Sequence, residues 1–253
     1  MSTMPPGAGA SGPDEPASAI DVIPGSADAA PRRDPWDIPA VVAGMEKLLA
    51  RRAELLAAGA APIGWKLAFG TSAAMEKLGT TGPLVGFLTD ATVLGDGAEC
   101  SVSGWTAPKL EPEIALHLGD GGEGVAGIGP AIELADAALP AIETEAVLAG
   151  DLYHRAVVLD RVAAPVPLTH PIAGRIERDG EEYATIADAE AEVGRIEDLA
   201  AWTVEYLRHF DVETTAGEVV ICGSVVPLLD IAPGLHLRHT VDGVGSLTVS
   251  ITA

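Results

Sequence analysis

The sequence predicts an α+β fold in which short strands outnumber helices and build a β-rich core, with the helices on its flanks. Two observations carry this. Turn signals such as Asp179-Gly180, Pro233-Gly234 and Asp242-Gly243 recur between short apolar runs, as they do where strands are joined by tight connections. Strand-like runs also fail to alternate regularly with helical segments, which disfavours a doubly wound parallel sheet.

The elements follow in order. Residues 1–35 are rich in Pro, Gly, Ala and Ser and bury too little to offset ordering entropy, so they are expected to form a disordered tail. Residues 36–253 are expected to form a single catalytic domain, with 36–60 as an N-terminal cover helix. There Val41, Val42, Met45, Leu48, Leu49, Leu55 and Leu56 recur at three- and four-residue spacing, Asp37 and Pro39 suit the start, and Gly59 suits the end. IGWKLAFG (63–70) reads as a glycine-bounded strand with one lysine. TSAAMEKLG (71–79) reads as a short helix capped by Thr71 or Ser72 and stopped by Gly79. GPLVGFLTDATVL (82–94) is a loop then a strand, and EPEIALHLGDGG (111–122) is a strand ending in a glycine turn. RIERDGEEYAT (175–185) alternates about Asp179-Gly180, a hairpin signal. Ile196, Leu199, Ala200, Thr203, Val204 and Leu207 mark a second amphipathic helix over 196–209, and several short strands follow from Gly217.

Charge and cysteine usage narrow the function classes. Acidic residues outnumber basic ones 37 to 15, for a formal charge of −22. That argues against nucleic-acid and anionic-membrane partners, and an anionic substrate would need a local cation to reverse the field. Cys100 and Cys222 are neither a disulfide framework nor zinc-finger spacing. No run of 18 apolar residues occurs, and no basic residue or continuous apolar core precedes Arg32. These features lead to the expectation of a cytoplasmic protein without a membrane span.

The chemistry-bearing residues centre on Glu111-Pro112-Glu113. On a strand, Glu111, Glu113, Ala115 and His117 share one face, while Ile114, Leu116 and Leu118 share the other. Two adjacent carboxylates repel, and either a proton or a cation relieves them; hard oxygen ligands suit Mg²⁺, Ca²⁺ or Mn²⁺. The bland reading is an exposed face that happens to carry two acids. Pro112 points to a strand end or edge, because proline interrupts a ladder. A third ligand comes from elsewhere, with Glu133 and Glu143 both candidates by spacing. Lys66, between Trp65 and Leu67, is either a lysine reaching for the surface or an active-site cation. His154 and its neighbour Arg155 are structural or substrate-binding, and Ser224 lacks a nucleophile-elbow pattern.

Taken together, GWKLAFGTSAAMEKLG, GPLVGFLTD, EPEIALHL and the closing GEVVICGSVVPLLDIAPGLHLRHTVDGVGSLTVSI resemble the fumarylacetoacetate hydrolase superfamily, in its 2-keto-4-pentenoate hydratase and 4-oxalocrotonate decarboxylase branch. The resemblance runs from about residue 40 to the C-terminus. It implies a rolled, mixed-sheet core of the fumarylacetoacetase C-terminal type and a Mg²⁺ or Mn²⁺ cofactor that chelates a small 2-oxo acid or dienoate. Carried over by position, Glu111 and Glu113 are the first two metal ligands. The Pro-Ala-x-Glu-x-x-Asp pattern at 130–136 makes Glu133 the third, and Lys66 matches the active-site lysine. The implied reaction adds water to a 2-hydroxy-2,4-dienoate or its 2-oxo-4-enoate tautomer, giving a 4-hydroxy-2-oxo acid. Alternatives are 4-oxalocrotonate-type decarboxylation, carbon–carbon hydrolysis of an acylpyruvate with His117 as base, and a catalytically silent scaffold subunit. The resemblance also implies a homodimer or larger homo-oligomer. The chain departs from the pattern in a short Glu113–Glu133 interval, in a competing register at Pro140–Glu143, in the absence of an arginine after the third ligand, and in Glu76 where relatives often have glutamine.

Overall fold

A computed structural model describes residues 31–140, 143–161 and 164–253 of the chain. The Pro/Ala/Gly-rich segment up to residue 30 lies outside the described residues. From Arg33 the backbone is tied down: its N–H donates to the Gly79 carbonyl, and the Thr81 N–H donates back to the Arg33 carbonyl. A single 3₁₀ turn, Pro35–Asp37, leads into α1 (Pro39–Ala57), where Pro39 fills the first-turn position whose N–H would be unpaired anyway. Val41, Met45 and Leu48 form the buried stripe of α1, and Gly59, with φ +105°, lies just past its end.

Of the remaining helices, all but the last are short. α2 (Ser72–Leu78) is capped by the Thr71 hydroxyl, which accepts from the Ala74 N–H, and it stops at left-handed Gly79. α3 (Thr144–Ala149) packs on α1 at Gly44, where an added Cβ would lie 2.6 Å from the Leu148 Cβ. α4 (Glu190–Val193) precedes α5 (Ile196–Arg208), which buries all six residues of the expected stripe.

Among the described residues, thirteen strands make two sheets. They are β1 (Pro62–Ala68), β2 (Leu84–Thr89), β3 (Val93–Leu94), β4 (Ala98–Ser101), β5 (Pro108–Leu118), β6 (Val125–Asp136), β7 (His154–Val158), β8 (Gly174–Arg178), β9 (Glu181–Ile186), β10 (Val219–Ser224), β11 (Leu229–Asp230), β12 (His236–Val241) and β13 (Gly245–Thr252). The larger sheet runs β2-β1-β10-β5-β6-β7-β3, with β11 also pairing β5; the smaller runs β4-β13-β12-β8-β9. β1–β10, β3–β7 and β4–β13 are parallel and the other pairs antiparallel. The larger sheet curls into a half-barrel, so the fold is the β-rich mixed architecture expected from the sequence. The β8–β9 hairpin turns at Asp179 and Gly180, both at positive φ, as a two-residue turn of that twist requires.

The larger sheet has two unlike faces. On β5, Leu110, Ile114, Leu116 and Leu118 join the main core, while Ala115 joins a smaller apolar cluster with Leu88, Ala131, Val157, Leu159, Val219 and Ile221. That alternation fixes the register, because a one-residue slip would exchange the two sets. The face carrying Ala115 also carries Glu111 and Glu113. Among the described residues, no helix is long and apolar enough to cross a membrane.

Candidate metal centre

The antiparallel register of β5 with β6 sets Glu111 directly opposite Glu133, and Glu113 opposite Ala131. Residues facing each other across two strands have Cβ atoms ~5 Å apart, so the three carboxylates converge without further design. Ligand oxygens of Glu111, Glu113 and Glu133 all lie within 4.8 Å of one another. Lys66 arrives from β1. Three strand spacings separate β1 from β6, ~14 Å if flat and beyond a lysine's reach. The curl closes that gap: Lys66 Nζ donates to Glu133 Oε1 at 2.5 Å and to the Leu152 carbonyl at 3.1 Å.

Pro112 does not mark a sheet edge, contrary to the sequence expectation. β5 is flanked on both sides, and Pro112 sits opposite Ile132 on β6. It is tolerated because the β5–β10 ladder breaks there. The register shifts between Ile221 and Ser224, Gly223 takes φ +97°, and the Pro112 carbonyl accepts from the Val225 N–H at the start of the segment leading to β11. The same break frees the Gly223 N–H to donate to Glu113 Oε2 at 2.7 Å. Proline and glycine together thus aim a backbone donor at one of the carboxylates.

The electrostatics are lopsided. Glu113, Glu133 and Lys66 are all at most 1% exposed. Burial, and then the charges of Glu133 and Glu111, push the Glu113 carboxyl well above its ordinary range, against Lys66 and the Gly223 N–H. Glu111 is pushed up to about 7 by burial and the Glu133 charge, with Lys66 opposing. Glu133 goes the other way: burial would raise it, but Lys66 and His154 hold it low. Burial would likewise drag Lys66 down, yet the surrounding carboxylates, Glu133 first, keep it above its usual value. Oε1 of Glu113 and Oε2 of Glu133 are buried with no hydrogen-bond partner among the described residues. Buried carboxylate oxygens are costly to leave unpaired, so two such oxygens call for a proton or a cation.

Other residues singled out in the sequence fall elsewhere. Glu143 is exposed at the start of α3, away from the cluster. His117 shares the carboxylate face but lies four residues beyond Glu113, ~13 Å along the strand, where it lines a cavity of ≈ 640 Å³ with Ile63, Leu159 and Gly245. Arg155, half exposed, pairs with the buried carboxylate of Asp136. His154 is at the centre: its Nδ1 lies 2.7 Å from Glu133 Oε1. Sequence reasoning missed Asp151, whose buried Oδ1 accepts from the Phe87 N–H, and the backbone groups of Leu152 and Gly223. Backbone donors leave no mark in residue identity; the GDLYH run did carry polar residues in an apolar setting. A second grouping lies at the surface, where His170 Nδ1 is 2.9 Å from Glu190 Oε2 and Nε2 is 3.7 Å from Glu197 Oε1.

No family model matches the chain. It is 26% identical over 212 residues to 2-hydroxyhexa-2,4-dienoate hydratase of Comamonas testosteroni, covering 78% of this chain and 80% of the relative. It is 26% identical over 223 residues to 4-oxalocrotonate decarboxylase of Pseudomonas sp, covering 81% and 83%. It is also 25% identical over 207 residues to 2-keto-4-pentenoate hydratase of Burkholderia vietnamiensis, covering 75% and 78%. The fold is shared with 4-oxalocrotonate decarboxylase from Pseudomonas putida G7 in complex with magnesium and adipate, at TM-score 0.72 and 21% identity over 82% of this chain and 84% of that one. It is shared more distantly with fumarylpyruvate hydrolase from Pseudomonas aeruginosa in complex with Mn²⁺ and pyruvate, at TM-score 0.55 and 19% identity over 74% and 88%. Its sequence relatives and its fold neighbours support the resemblance of this chain to the fumarylacetoacetate hydrolase superfamily, in the branch of the 2-keto-4-pentenoate hydratases and 4-oxalocrotonate decarboxylases.

Proposed function

We propose that this enzyme is a divalent-metal-dependent hydratase that converts a 2-hydroxy-2,4-dienoate, through its 2-oxo-4-enoate form, into a 4-hydroxy-2-oxo acid. The observation that carries the reading is the convergence of Glu111, Glu113 and Glu133 beside Lys66, with two of their buried oxygens unpartnered. Three hard oxygen donors fit Mg²⁺ or Mn²⁺, and a dication offsets carboxylate charge that Lys66 alone does not. The magnesium and manganese complexes of the two fold neighbours agree with this choice.

A bound cation would act as a Lewis acid toward the keto and carboxylate oxygens of the substrate. The chain's own residues do the rest. Lys66 stays charged and buried, held by Glu133 and the Leu152 carbonyl, and its Nζ offers positive charge and a proton beside the developing enolate. Ala131, Val157 and Ile221 form an apolar wall on the same sheet face, which keeps the site dry and strengthens those interactions. The net reaction adds the elements of one water across the distal carbon–carbon double bond.

A second reading, decarboxylation of an oxalocrotonate-like diacid, uses the same enolate stabilisation and has a sequence relative at 26% identity. A diacid brings a second carboxylate, however, and among the described residues Lys66 is the only buried lysine or arginine. That favours the monoacid. Acylpyruvate hydrolysis with His117 as base is disfavoured by the distance of His117 from the carboxylates. A silent scaffold would have no use for an acidic cluster that leaves two buried oxygens without partners among the described residues. The reading includes a homo-oligomer, which sedimentation velocity tests.

The test is product identity. Protein with Mg²⁺ is incubated separately with 2-hydroxypenta-2,4-dienoate, oxalocrotonate and an acylpyruvate, and products are identified by mass spectrometry. A 4-hydroxy-2-oxo acid from the dienoate supports the hydratase. Release of CO₂ from oxalocrotonate with no hydration of the dienoate replaces it by the decarboxylase, and cleavage of acylpyruvate alone removes it.

A further inference from the structure

Glu133 differs from its two partners in how its oxygens are used. Two side-chain nitrogens converge on Oε1: Lys66 Nζ at 2.5 Å and His154 Nδ1 at 2.7 Å. The other oxygen, Oε2, is buried and has no partner among the described residues. A carboxylate oxygen only accepts, so His154 Nδ1 carries a proton. The His154 side chain is 3% exposed, and its Nε2 lies 2.9 Å from the Thr92 hydroxyl, which fixes the ring plane from the other side.

The backbone that delivers these groups is unusual. Asp151, Leu152 and Tyr153 take φ +63°, +51° and +69° in succession, immediately before His154. Side-chain-bearing residues rarely occupy this region, and leucine and tyrosine lack the local hydrogen bonding that eases it for aspartate. The turn is held by the Asp151 carboxylate on the Phe87 N–H, by the His154 N–H on the Asp151 carbonyl and by the buried Leu152 side chain. In that conformation the Leu152 carbonyl meets Lys66 Nζ and the next side chain but one meets Glu133. Strain maintained at one place by surrounding contacts points to a use for the geometry it produces.

We propose that His154 is a positioning residue: with Lys66 it occupies Oε1 of Glu133, so that Oε2 alone is offered to the divalent cation. The proposal rests on the metal site put forward above. Its consequence is ligand denticity. A glutamate with both oxygens free can bind an ion through both, which Ca²⁺ accepts in its larger, looser shell. A glutamate held to one oxygen suits the smaller octahedral shell of Mg²⁺ or Mn²⁺. His154 therefore sets selectivity for the smaller ions as well as affinity, without touching ion or substrate.

The test is titration of Mn²⁺, Mg²⁺ and Ca²⁺ into wild type and three variants by calorimetry, with thermal unfolding of each metal-free protein as a check on folding. Asparagine places an N–H where His Nδ1 stood, glutamine places one nearer Nε2, and leucine supplies none. Mn²⁺ and Mg²⁺ affinity is expected to fall roughly ten- to a hundred-fold in His154→Leu and His154→Gln, as for other residues that orient metal ligands. Ca²⁺ affinity falls less, so the Mg²⁺-over-Ca²⁺ preference narrows, and His154→Asn recovers most of it. Wild type that binds none of the ions overturns the metal site itself. Wild type that binds, with all three variants matching it, overturns the positioning role alone. So does an equal loss in all three, asparagine included, because that reports packing. If His154→Leu fails to fold, the asparagine–glutamine comparison still decides.

Discussion

Removing a candidate ligand should stabilise the metal-free protein. Glu111→Gln keeps the shape of the side chain and deletes a charge that burial and Glu133 disfavour. The Glu111 carboxyl is pushed from 4.5 to about 7, and each unit is worth ~1.4 kcal/mol, so at pH 8 its ionisation costs the fold about 3 kcal/mol. The sign follows from the direction of the shift. A carboxyl whose folded pKa exceeds its unfolded one favours the fold below pH 4.5, and that favour is lost as the pH rises to about 7. In EDTA, wild type should therefore lose stability across pH 4.5–7, while Glu111→Gln lacks this component. For a folded unit of this size 1 kcal/mol is roughly 2–4 °C, so the variant should melt about 6–12 °C higher than wild type at pH 8 and nearly level with it at pH 4.5. Excess Mg²⁺ should reverse the order, raising wild type by ligand linkage and leaving the variant unmoved. Differential scanning calorimetry at the two pH values, with EDTA and with Mg²⁺, measures all four cases. A metal-free Glu111→Gln that melts at or below wild type at pH 8 would refute the reasoning.

Three further outcomes are expected. In Gly86→Ala the new Cβ would lie 2.6 Å from Asp151 Oδ1 and 2.9 Å from Lys66 Cγ, so steady-state turnover should fall about tenfold or more while urea unfolding shows a loss of only ~1–3 kcal/mol. Gly64→Ala meets the Val219 carbonyl at 1.9 Å with φ +153°, inside a ladder that cannot move, and should lose more than ~4 kcal/mol in the same urea assay; wild-type stability in this variant would show that the β1–β10 pairing is wrong. Buried His239 donates Nδ1–H to the Ala131 carbonyl, and burial lowers its pKa to about 4. Stability should therefore be lost as pH falls from 6.5 toward 4, by up to ~3 kcal/mol, and denaturant unfolding of His239→Asn should lack that slope.

Much of this arrangement could be read from residue identity. The alternation in EPEIALHL separates a core face from an acidic one, and the structure keeps that division over the whole of β5. Asp179-Gly180 and the stripe of α5 needed no tertiary information, because each is decided by local backbone preference or by one buried face. Pro112 misled because its reading assumed a continuous ladder, whereas the ladder yields at Gly223, a hundred residues away in sequence. The choice between Glu133 and Glu143 was likewise beyond spacing: pairing of β6 with β5 decides which glutamate faces Glu111. His154 looked undistinguished because its meaning depends on three left-handed residues before it, and no residue type there announces such a turn.

The central claim is that the three glutamates hold a divalent cation that the reaction needs. The most direct measurement is turnover of 2-hydroxypenta-2,4-dienoate by EDTA-stripped protein as Mn²⁺ is added back in known amounts. The account predicts no turnover at the start, a rise that saturates near one ion per chain in wild type, and no rise in Glu113→Gln. Full turnover by stripped wild type, or recovery by Glu113→Gln to the wild-type level, would contradict it.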